Sequence, residues 1–389
     1  MMERMTSPIF TLDASALRER SSIKYQKYDA DVLPLWVAEM DCALAPPIAK
    51  RLQRAISIGD VGYPTLDGQL PEALASYADA QWGWQIDPAQ VHPVADVGVG
   101  VTEVLRHNIS PGDQVVVCSP IYPPFFIWTD EVRGELVDVP LLRSDDSWFL
   151  DMAGLRAAFA AGAKAFLLCN PANPVGRVWT ADELREVADL AAEYDVLVIA
   201  DEIHAPLALD GAVFTPFLTV SDAAREVGVS VLAASKGWNL AGLKCAQIVS
   251  ASARGHERVL RINAHTFEST GQLGLLASIV AWSQGRPWIE QAVRELSANR
   301  DLLTSLVAQH LPDAGYIEPQ ATYLGWLDLS AYGWGDVPAE KILAEARVAV
   351  NPGPRFGETG KGCTRINFAC SPAILTEAME RIGRLAERR

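Results

Sequence analysis

The sequence predicts an α/β fold with a mainly parallel central sheet and helices on both faces, joined to a smaller α+β domain. Short apolar runs recur in the middle of the chain and lack a strict polar–apolar alternation, which is typical of strands buried on both faces. These runs are 114–118, 164–169, 195–200, 229–234 and 245–250. A helix is predicted between the second and third runs, because Thr180 and Glu183 form a capping box ahead of helically spaced apolar residues. This strand–helix–strand order favours parallel pairing.

Further helices are predicted over 69–82, 98–109 and 286–310. The chain has 389 residues, which exceeds the roughly 250–300 residues at which a single hydrophobic core stops growing. Beyond the last of these helices, helical stretches mix with short strands and Gly/Pro-rich turns. We therefore predict two domains: a large α/β domain of residues 47–285, and a small α+β domain of residues 1–46 and 286–389.

The composition excludes several classes of function. Lys and Arg number 33 against 48 Asp and Glu, a net charge of −15, which disfavours binding to nucleic acid or to anionic membranes. We expect no membrane helix and no signal peptide, because no apolar run approaches the ~20 residues that a span needs. The six cysteines lack a C-x-x-C pair and the six histidines lack metal-ligand spacing. We therefore expect free thiols, no metal site and a cytoplasmic protein.

Four chemically useful residues follow successive apolar runs. They are an aromatic, an amide, a carboxylate and an amine: Tyr122, Asn173, Asp201 and Lys236. The carboxyl ends of parallel strands meet at one edge of a sheet, where ligands of such folds bind. A lysine that forms an imine, a carboxylate for a pyridine nitrogen and a flat ring for stacking together predict a pyridoxal 5′-phosphate site.

Four segments carry a resemblance to a known family: LPLWVAEMD (33–41), DEIHAPL (201–207), SKGWNLAGLK (235–244) and RINFACS (365–371). From about residue 30 to its end, the chain resembles the fold-type I pyridoxal-phosphate enzymes of the class I/II aminotransferase superfamily. Within that superfamily it is most similar to the cystathionine β-lyases, or C–S lyases, of the MalY/PatB type. DEIH and NFACS point to that group, whereas the Asn-Pro-Val-Gly and Ser-Lys pieces are shared with aminotransferases.

The resemblance implies a role for each residue around the cofactor ring. Lys236 binds the aldehyde and abstracts the substrate's Cα proton, and Asp201 holds the pyridine nitrogen. Asn173 donates to the phenolic oxygen, and Tyr122 stacks on the ring. His204 sits beside the cofactor, although a purely structural histidine is the alternative. Cis peptides are expected at Ser119–Pro120 and Asn173–Pro174, where relatives often have them.

The phosphate and the substrate carboxylate have their own expected partners. The phosphate is assigned to Gly98 and Val99, in a glycine-containing turn ahead of a helix, and to Ser235 and Lys244. Lys244 stands where many aminotransferases carry arginine, so its contact is a point charge and not a bidentate fork. Ala233 stands where they often carry a serine, so one hydroxyl donor is missing.

The remaining expectations concern the substrate and the partner subunit. Arg365 resembles the arginine that grips the substrate's α-carboxylate, with the backbone at Ala38 and Glu39 lining the same end. Tyr63 resembles the tyrosine that reaches the phosphate in the neighbouring subunit, which implies a homodimer with shared active sites.

The motifs for the cofactor do not decide the reaction. The closer resemblance favours β-elimination of a thiol from L-cystathionine, L-cysteine or other cysteine S-conjugates, giving pyruvate and ammonia. A class I/II aminotransferase is the alternative, and a regulatory binding protein on the lyase scaffold is a third. The preferred thioether and any protein partner stay open.

Overall fold

The computed structural model describes residues 7–387. Its largest element is a seven-stranded sheet. In spatial order the strands are Val91–Val94, Ala246–Val249, Gly228–Leu232, Leu197–Asp201, Ala165–Cys169, Gln114–Val117 and Glu135–Asp138. Only Ala246–Val249 runs antiparallel to its two neighbours, and the other pairings are parallel. The predicted mainly parallel sheet is therefore confirmed.

Both faces of this sheet are buried, because alternate residues of a strand point to opposite sides. In the central strand, Val198 and Ala200 belong to one hydrophobic cluster, whereas Leu197 and Ile199 belong to another. The helices of the domain cover the two faces. This two-sided burial explains why the apolar runs in the sequence lack alternation.

A second sheet of four antiparallel strands lies in the C-terminal part of the chain. Its strands, in spatial order, are Gly315–Tyr316, Leu324–Asp328, Cys363–Asn367 and Asn351–Pro352. The N-terminal strand Leu33–Pro34 pairs with Val348–Ala349, which joins the beginning of the chain to this part. The domain boundaries at 46/47 and 285/286 stay a prediction, and residues 1–6 and 388–389 of the predicted small domain lie outside the described residues.

The helices connect and cover these sheets. They are Ala14–Arg18, Ile23–Gln26, Pro46–Ser57, Gln69–Trp82, Val97–Asn108, Pro124–Glu131, Met152–Ala160, Ala181–Tyr194, Asp222–Val227, Ala234–Gly237, Ala253–Leu260, Ala264–Glu268, Gln272–Gln284, Arg286–His310, Pro338–Lys341 and Pro372–Ala386. Two short hairpin strands, Leu142–Arg143 and Trp148–Phe149, complete the regular structure. No helix in the described range is both long and apolar enough to span a bilayer.

Several local predictions are confirmed. The capping box at Thr180 and Glu183 begins the helix Ala181–Tyr194. The helices Gln69–Trp82 and Arg286–His310 have the predicted bounds, and all six cysteines are free and buried. The peptides Ser119–Pro120 and Asn173–Pro174 are cis, as is Asn170–Pro171.

The helix predicted over 98–109 is Val97–Asn108, so Gly98 and Val99 lie in its first turn and not in a turn ahead of it. Asp96 is the N-cap of Val97–Asn108, and its carboxylate accepts a hydrogen bond from the Val99 N–H at 2.8 Å. Gly98 and Gly100 therefore lie in the first turn. A Cβ on Gly100 would approach Val231 to 3.1 Å, so the glycine serves close packing of helix against sheet.

Candidate active site

A cavity of about 280 Å³ opens at the carboxyl ends of the parallel strands. It gathers the four residues predicted from the strand ends, Tyr122, Asn173, Asp201 and Lys236. Further predicted residues line it as well: Ala38, Gly98, Ser235, His204 and Lys244. Sequence signals separated by more than a hundred residues therefore meet in one place.

Lys236 lies on the short helix Ala234–Gly237, just after the strand Gly228–Leu232. Its Nζ donates a hydrogen bond to the carbonyl of Ala38 at 3.0 Å. The hydroxyl of Tyr323 donates to the same carbonyl at 2.9 Å. Burial, together with the positive charge of Arg365, lowers the pKa of Lys236 to about 8. An amine with such a pKa can exchange protons near neutral pH.

Asp201 is the last residue of the strand Leu197–Asp201 and is almost fully buried. Its carboxylate accepts a hydrogen bond from the Ile203 N–H at 3.1 Å. Burial raises the pKa of Asp201 to about 7, and the N–H of Ile203 and the charge of Lys236 act in the opposite direction. A carboxyl group in this position favours a cation, or a protonated ring nitrogen, in contact with it.

Glu202 lies on the other side of the same strand end and is fully buried. Its Oε1 accepts hydrogen bonds from Phe217 N–H at 2.8 Å and from Asn170 Nδ2 at 3.2 Å. Burial raises the pKa of Glu202 to about 7, although hydrogen bonds from Phe217 N–H, Ser230 and Asn170 act in the opposite direction. Glu202 does not line the cavity.

His204 is buried beside the cavity, with its ring edge-on to Tyr323 at 6.3 Å. Burial, with the positive charges of Lys236 and Arg365, holds the pKa of His204 well below its ordinary value. Its Nδ1 has no partner within the described part of the chain. A neutral imidazole is therefore available at this position.

Arg365 stands on the strand Cys363–Asn367 and is also buried. Its two terminal nitrogens donate to Asn173 Oδ1 at 3.0 Å and to the Trp36 carbonyl at 3.1 Å. Its guanidinium lies over the ring of Phe356, 5.0 Å from the centroid. Burial lowers the pKa of Arg365 to about 10, and Nε is left without a partner among residues 7–387. No carboxylate of the described residues contacts this cation, so it can bind one from a ligand.

The segment Trp36–Asp41 is held in place by side chains from distant parts of the chain. Asn367 Nδ2 donates to the carbonyls of Val37 and Glu39, at 2.6 and 2.7 Å. Lys24 Nζ also donates to the Glu39 carbonyl, at 2.9 Å. The carbonyl of Glu39 is therefore hydrogen-bonded to Lys24 and Asn367, which do not line the cavity. The backbone carbonyl that contacts Lys236 is that of Ala38.

The residues predicted to bind the phosphate lie beside a carboxylate that was not predicted, that of Asp96. Lys244 Nζ makes an ion pair with Asp96 at 2.6 Å, and Asp96 also accepts from Val99 N–H. Burial alone would raise the pKa of Asp96. The charge and hydrogen bond of Lys244, with the N–H groups of Val99 and Gly98, hold this pKa below its ordinary value. A Cβ on Gly98 would lie 3.0 Å from the Trp128 indole nitrogen. The Val99 N–H and the Lys244 charge, which were both predicted to bind the phosphate, are thus already engaged by Asp96.

The two predicted tyrosines differ in their surroundings. Tyr122 lines the cavity and lies edge-on to Trp128 at 6.2 Å, and burial raises its pKa. Tyr63, in contrast, is 98% exposed and does not line the cavity of its own chain.

Three contributors to the site were missed from the sequence: Tyr323, Asp96 as a partner of Lys244, and the Trp36 carbonyl. Only Asp96 had a usable signal. An Asp directly before a helical stretch is a frequent N-cap, and that pattern would have placed it at the helix terminus.

The chain matches the model of one protein family. Residues 30–382 match the model of the family described as aminotransferase class I and II. The chain belongs to that family. The family match indicates the fold. Comparison with individual relatives indicates which group within the family the chain resembles.

A Mycobacterium leprae protein assigned as a cystathionine β-lyase is 41% identical over 98% of this chain and 98% of its own. The cystathionine β-lyase PatB of Bacillus subtilis is 32% identical, with 90% of this chain and 92% of PatB covered. The crystal structure of a protein assigned as a PLP-dependent β-cystathionase from Corynebacterium diphtheriae superimposes with a TM-score of 0.93 and 34% identity. That comparison covers 97% of this chain and 99% of the other. The similarity to MalY/PatB-type lyases is confirmed.

Proposed function

We propose that this protein is a pyridoxal-phosphate-dependent C–S β-lyase. It eliminates a thiol from L-cystathionine or other L-cysteine S-conjugates and yields pyruvate and ammonia. The observation that carries the proposal is that Lys236 and Asp201 line one cavity with Asn173, whose Oδ1 accepts a hydrogen bond from Arg365. The relatives of this chain include proteins named cystathionine β-lyase.

The described residues fit the cofactor. Asp201 is a buried carboxyl group whose pKa is raised to about 7, which is the environment in which a protonated pyridine nitrogen would be held. Lys236 is an amine whose pKa is lowered to about 8, so a neutral, nucleophilic form is accessible. Pyridoxal phosphate, when bound, supplies an aldehyde for the amino group and a ring that withdraws electrons from the substrate's Cα.

The chain's own residues then have distinct tasks. Asp201 keeps the ring nitrogen protonated, and Tyr122 covers the ring. Asn173 holds the phenolic oxygen, with neutral His204 beside it. Gly98, Val99, Ser235 and Lys244 would hold the phosphate, and Lys244 would have to give up its ion pair with Asp96 to do so.

Arg365 orients the amino acid by its α-carboxylate, and Asn173, already bonded to Arg365, stands at the same end. Lys236 Nζ removes the proton from Cα. The carbonyl of Ala38 accepts a hydrogen bond from Lys236 Nζ and so provides a resting position for the free amine. A thiolate on Cβ leaves readily when its C–S bond is aligned, so orientation by Arg365 favours elimination.

The active unit that we propose is a homodimer with shared sites. Tyr63 projects from its own chain and is 98% exposed, as expected of a side chain that completes the partner's phosphate site. We also propose a cytoplasmic location, supported by six free, buried thiols.

One assay separates this function from transamination. Elimination regenerates the starting enzyme in every cycle, so L-cystathionine alone should yield pyruvate, ammonia and homocysteine continuously. A transaminase would stop after at most one equivalent per site until a keto acid is added. If turnover requires 2-oxoglutarate and free pyruvate does not accumulate, the lyase proposal is wrong and the aminotransferase alternative holds. The proposed cofactor site would not be affected by that result.

A further inference from the structure

Five consecutive backbone carbonyls, those of residues 36–40, accept hydrogen bonds from side chains elsewhere in the chain. The carbonyl of Trp36 accepts from Arg365, and that of Ala38 accepts from Lys236 and Tyr323. The other donors are Asn367 to Val37, Asn367 and Lys24 to Glu39, and Asn239 to Met40. This stretch of backbone therefore contacts both the arginine that is proposed to bind the substrate carboxylate and the lysine that is proposed to carry the amine.

Asn367 makes two of these contacts with a single amide group. Its Nδ2 donates to the carbonyls of Val37 and Glu39 at 2.6 and 2.7 Å, which are the residues on either side of Ala38. Its Oδ1 accepts a hydrogen bond from Ala369 N–H at 2.7 Å, and the residue is almost fully buried. Three contacts therefore fix the orientation of the amide, which holds the backbone on both sides of Ala38.

Asn367 also connects this backbone to the strand that carries Arg365. Both residues belong to the strand Cys363–Asn367 and stand two positions apart, so their side chains leave the same face of the strand. Arg365 donates to the Trp36 carbonyl at 3.1 Å, and the backbone N–H of Asn367 donates to the Leu35 carbonyl at 2.9 Å. One strand therefore positions both the guanidinium and the carbonyls that flank Ala38.

The far end of residues 36–40 is attached to the loop of Lys236. Asn239 follows Lys236 by three positions and pairs with both backbone groups of Met40. Its Nδ2 donates to the Met40 carbonyl and its Oδ1 accepts from the Met40 N–H, each at 2.9 Å. The Lys236 amine contacts the same backbone at Ala38, at 3.0 Å. The acceptor of the amine is therefore held from both sides of the cavity.

We propose that Asn367 is a positioning residue for Lys236: by binding the carbonyls on both sides of Ala38, it fixes the acceptor of the Lys236 amine relative to Arg365. The inference rests on the proposed function for the tasks of Lys236 and Arg365. A hydrogen bond from an amine to a carbonyl favours the charged form of the amine, so the Ala38 carbonyl stabilises the ammonium form of Lys236. Because Asn367 is uncharged, its effect on Lys236 passes through the backbone.

Other groups act on Lys236 directly, and a substitution at Asn367 removes none of them. Burial lowers the pKa of Lys236 and is the largest influence on it, while positive neighbours lower this pKa further and negative neighbours raise it. The charged and titratable side chains around the amine are those of Arg365, Glu39, Asp201, Lys244, His204 and Tyr323. A changed pKa in an Asn367 variant would therefore report the position of the Ala38 carbonyl.

The test measures the pKa of the Lys236 amine in the full-length protein, from which hydroxylamine has removed any bound carbonyl compound. Acetylation of the peptide containing Lys236 by acetic anhydride is followed against pH by mass spectrometry, with exposed Lys50 as the internal reference. The wild type should give a pKa of about 8. Asn367→Ala should lower this pKa by about 1, close to the lower end for the loss of a hydrogen bond to a charged group.

Asn299→Ala is the matched control. Asn299 is also buried, and its Nδ2 also donates to two carbonyls, those of Phe368 and Cys370, at 2.9 and 2.8 Å. These acceptors lie outside residues 36–40, so the control should lose stability but keep the wild-type pKa of Lys236. A wild-type pKa in Asn367→Ala, or an equal decrease in both variants, would overturn the proposal.

Asn367→Ser covers the case in which Asn367→Ala does not fold. A serine hydroxyl can accept from Ala369 N–H but is too short to bind both flanking carbonyls, so the pKa of Lys236 should again fall. An unchanged pKa in this folded variant would equally contradict the role of Asn367.

The labelling experiment needs neither the cofactor nor a substrate, so the two proposals fail separately. If the holoenzyme releases no pyruvate from L-cystathionine, the lyase function falls and the labelling result still decides the role of Asn367. If the holoenzyme releases pyruvate but Asn367→Ala keeps the wild-type pKa of Lys236, only the role of Asn367 falls.

Discussion

Arg365 is the residue on which recognition of the amino acid depends most. It is a buried cation that contacts an amide oxygen and a backbone carbonyl but, within residues 7–387, no carboxylate. Removing its charge entirely would leave Asn173 and Trp36 without their donors. Lysine keeps the charge but loses the planar fork, so it is the more informative replacement.

Arg365→Lys should raise KM for L-cystathionine by roughly 10–150-fold, which corresponds to the ~1.5–3 kcal/mol of a charged hydrogen bond. The variant should also discriminate less well between S-ethyl-L-cysteine and its decarboxylated amine, measured as the ratio of their affinities for the holoenzyme. Arg384→Lys serves as a control that should change neither value. Undiminished discrimination by Arg365→Lys would assign the carboxylate to another group.

At the scale of elements, the end of the strand Leu197–Asp201 presents two acids to opposite faces. Asp201 faces the cavity, whereas Glu202 is enclosed with Asn170 and the Phe217 N–H. Because burial raises its pKa to about 7, Glu202 should be mostly protonated in the folded protein below pH 7.

Glu202→Gln should make stability less dependent on pH between about 5 and 8. The folded pKa of Glu202, about 7, lies above its ordinary value of 4.5. Its stabilising contribution is therefore fully present below about pH 4.5 and is lost as the pH rises through 7, by up to about 3 kcal/mol. Melting temperatures of wild type and variant across this range measure the difference.

The wild type should lose stability relative to Glu202→Gln as the pH rises. A glutamine at exposed Glu186 is the control and should follow the wild type. Parallel curves for wild type and Glu202→Gln would mean that Glu202 is ionised in the folded protein.

Elements whose signals are local could be predicted from the sequence. The capping box at Thr180 depends on two residues three positions apart, and the central strands are continuous apolar runs because both of their faces are buried. Since parallel strands end at one edge of a sheet, the residues after them could be placed together as well. Tyr122, Asn173, Asp201 and Lys236 do line one cavity.

Elements and contacts without a local signal could not be predicted. The edge strand Glu135–Asp138 is mostly exposed, so it carries no apolar run. The carbonyl of Ala38 has no residue-type signature, and its donors lie 198 and 285 positions away in the chain. Tyr323, one of these donors, looks like any buried aromatic residue at the start of a strand.

At the scale of the whole molecule, the position of Tyr63 distinguishes a shared site from a self-contained one. Its ring is 98% exposed, and several exposed apolar side chains lie nearby in sequence, including Ile58, Val61 and Leu66. A second subunit seated on this region would cover them and receive Tyr63.

Mixing two inactive or impaired variants tests this arrangement. Lys236→Ala and Tyr63→Ala are purified separately, dissociated and reassociated together. If Tyr63 serves the partner's site, a hybrid dimer contains one complete site: Lys236 from one subunit and Tyr63 from the other. Pyruvate formation by the mixture should then exceed the average of its two parents.

A mixture of Lys236→Ala with Asp201→Asn is the matched control. Both residues line the same cavity of one chain, so no hybrid site is complete and activity should not be rescued. Absence of rescue in the Tyr63 mixture, with hybrid dimers demonstrated by mass, would place Tyr63 outside the partner's site.

The most direct measurement is the location of the covalently attached cofactor. The chain has eight lysines, of which Lys236 is half-buried and lines the cavity together with Asp201. Holoenzyme reduced with borohydride and digested should show the pyridoxyl-phosphate mass on the peptide containing Lys236. The Lys236→Ala variant should fold, lose turnover and show no such label. A label on another lysine, or a labelled Lys236→Ala variant, would contradict the assignment of this cavity as the active site.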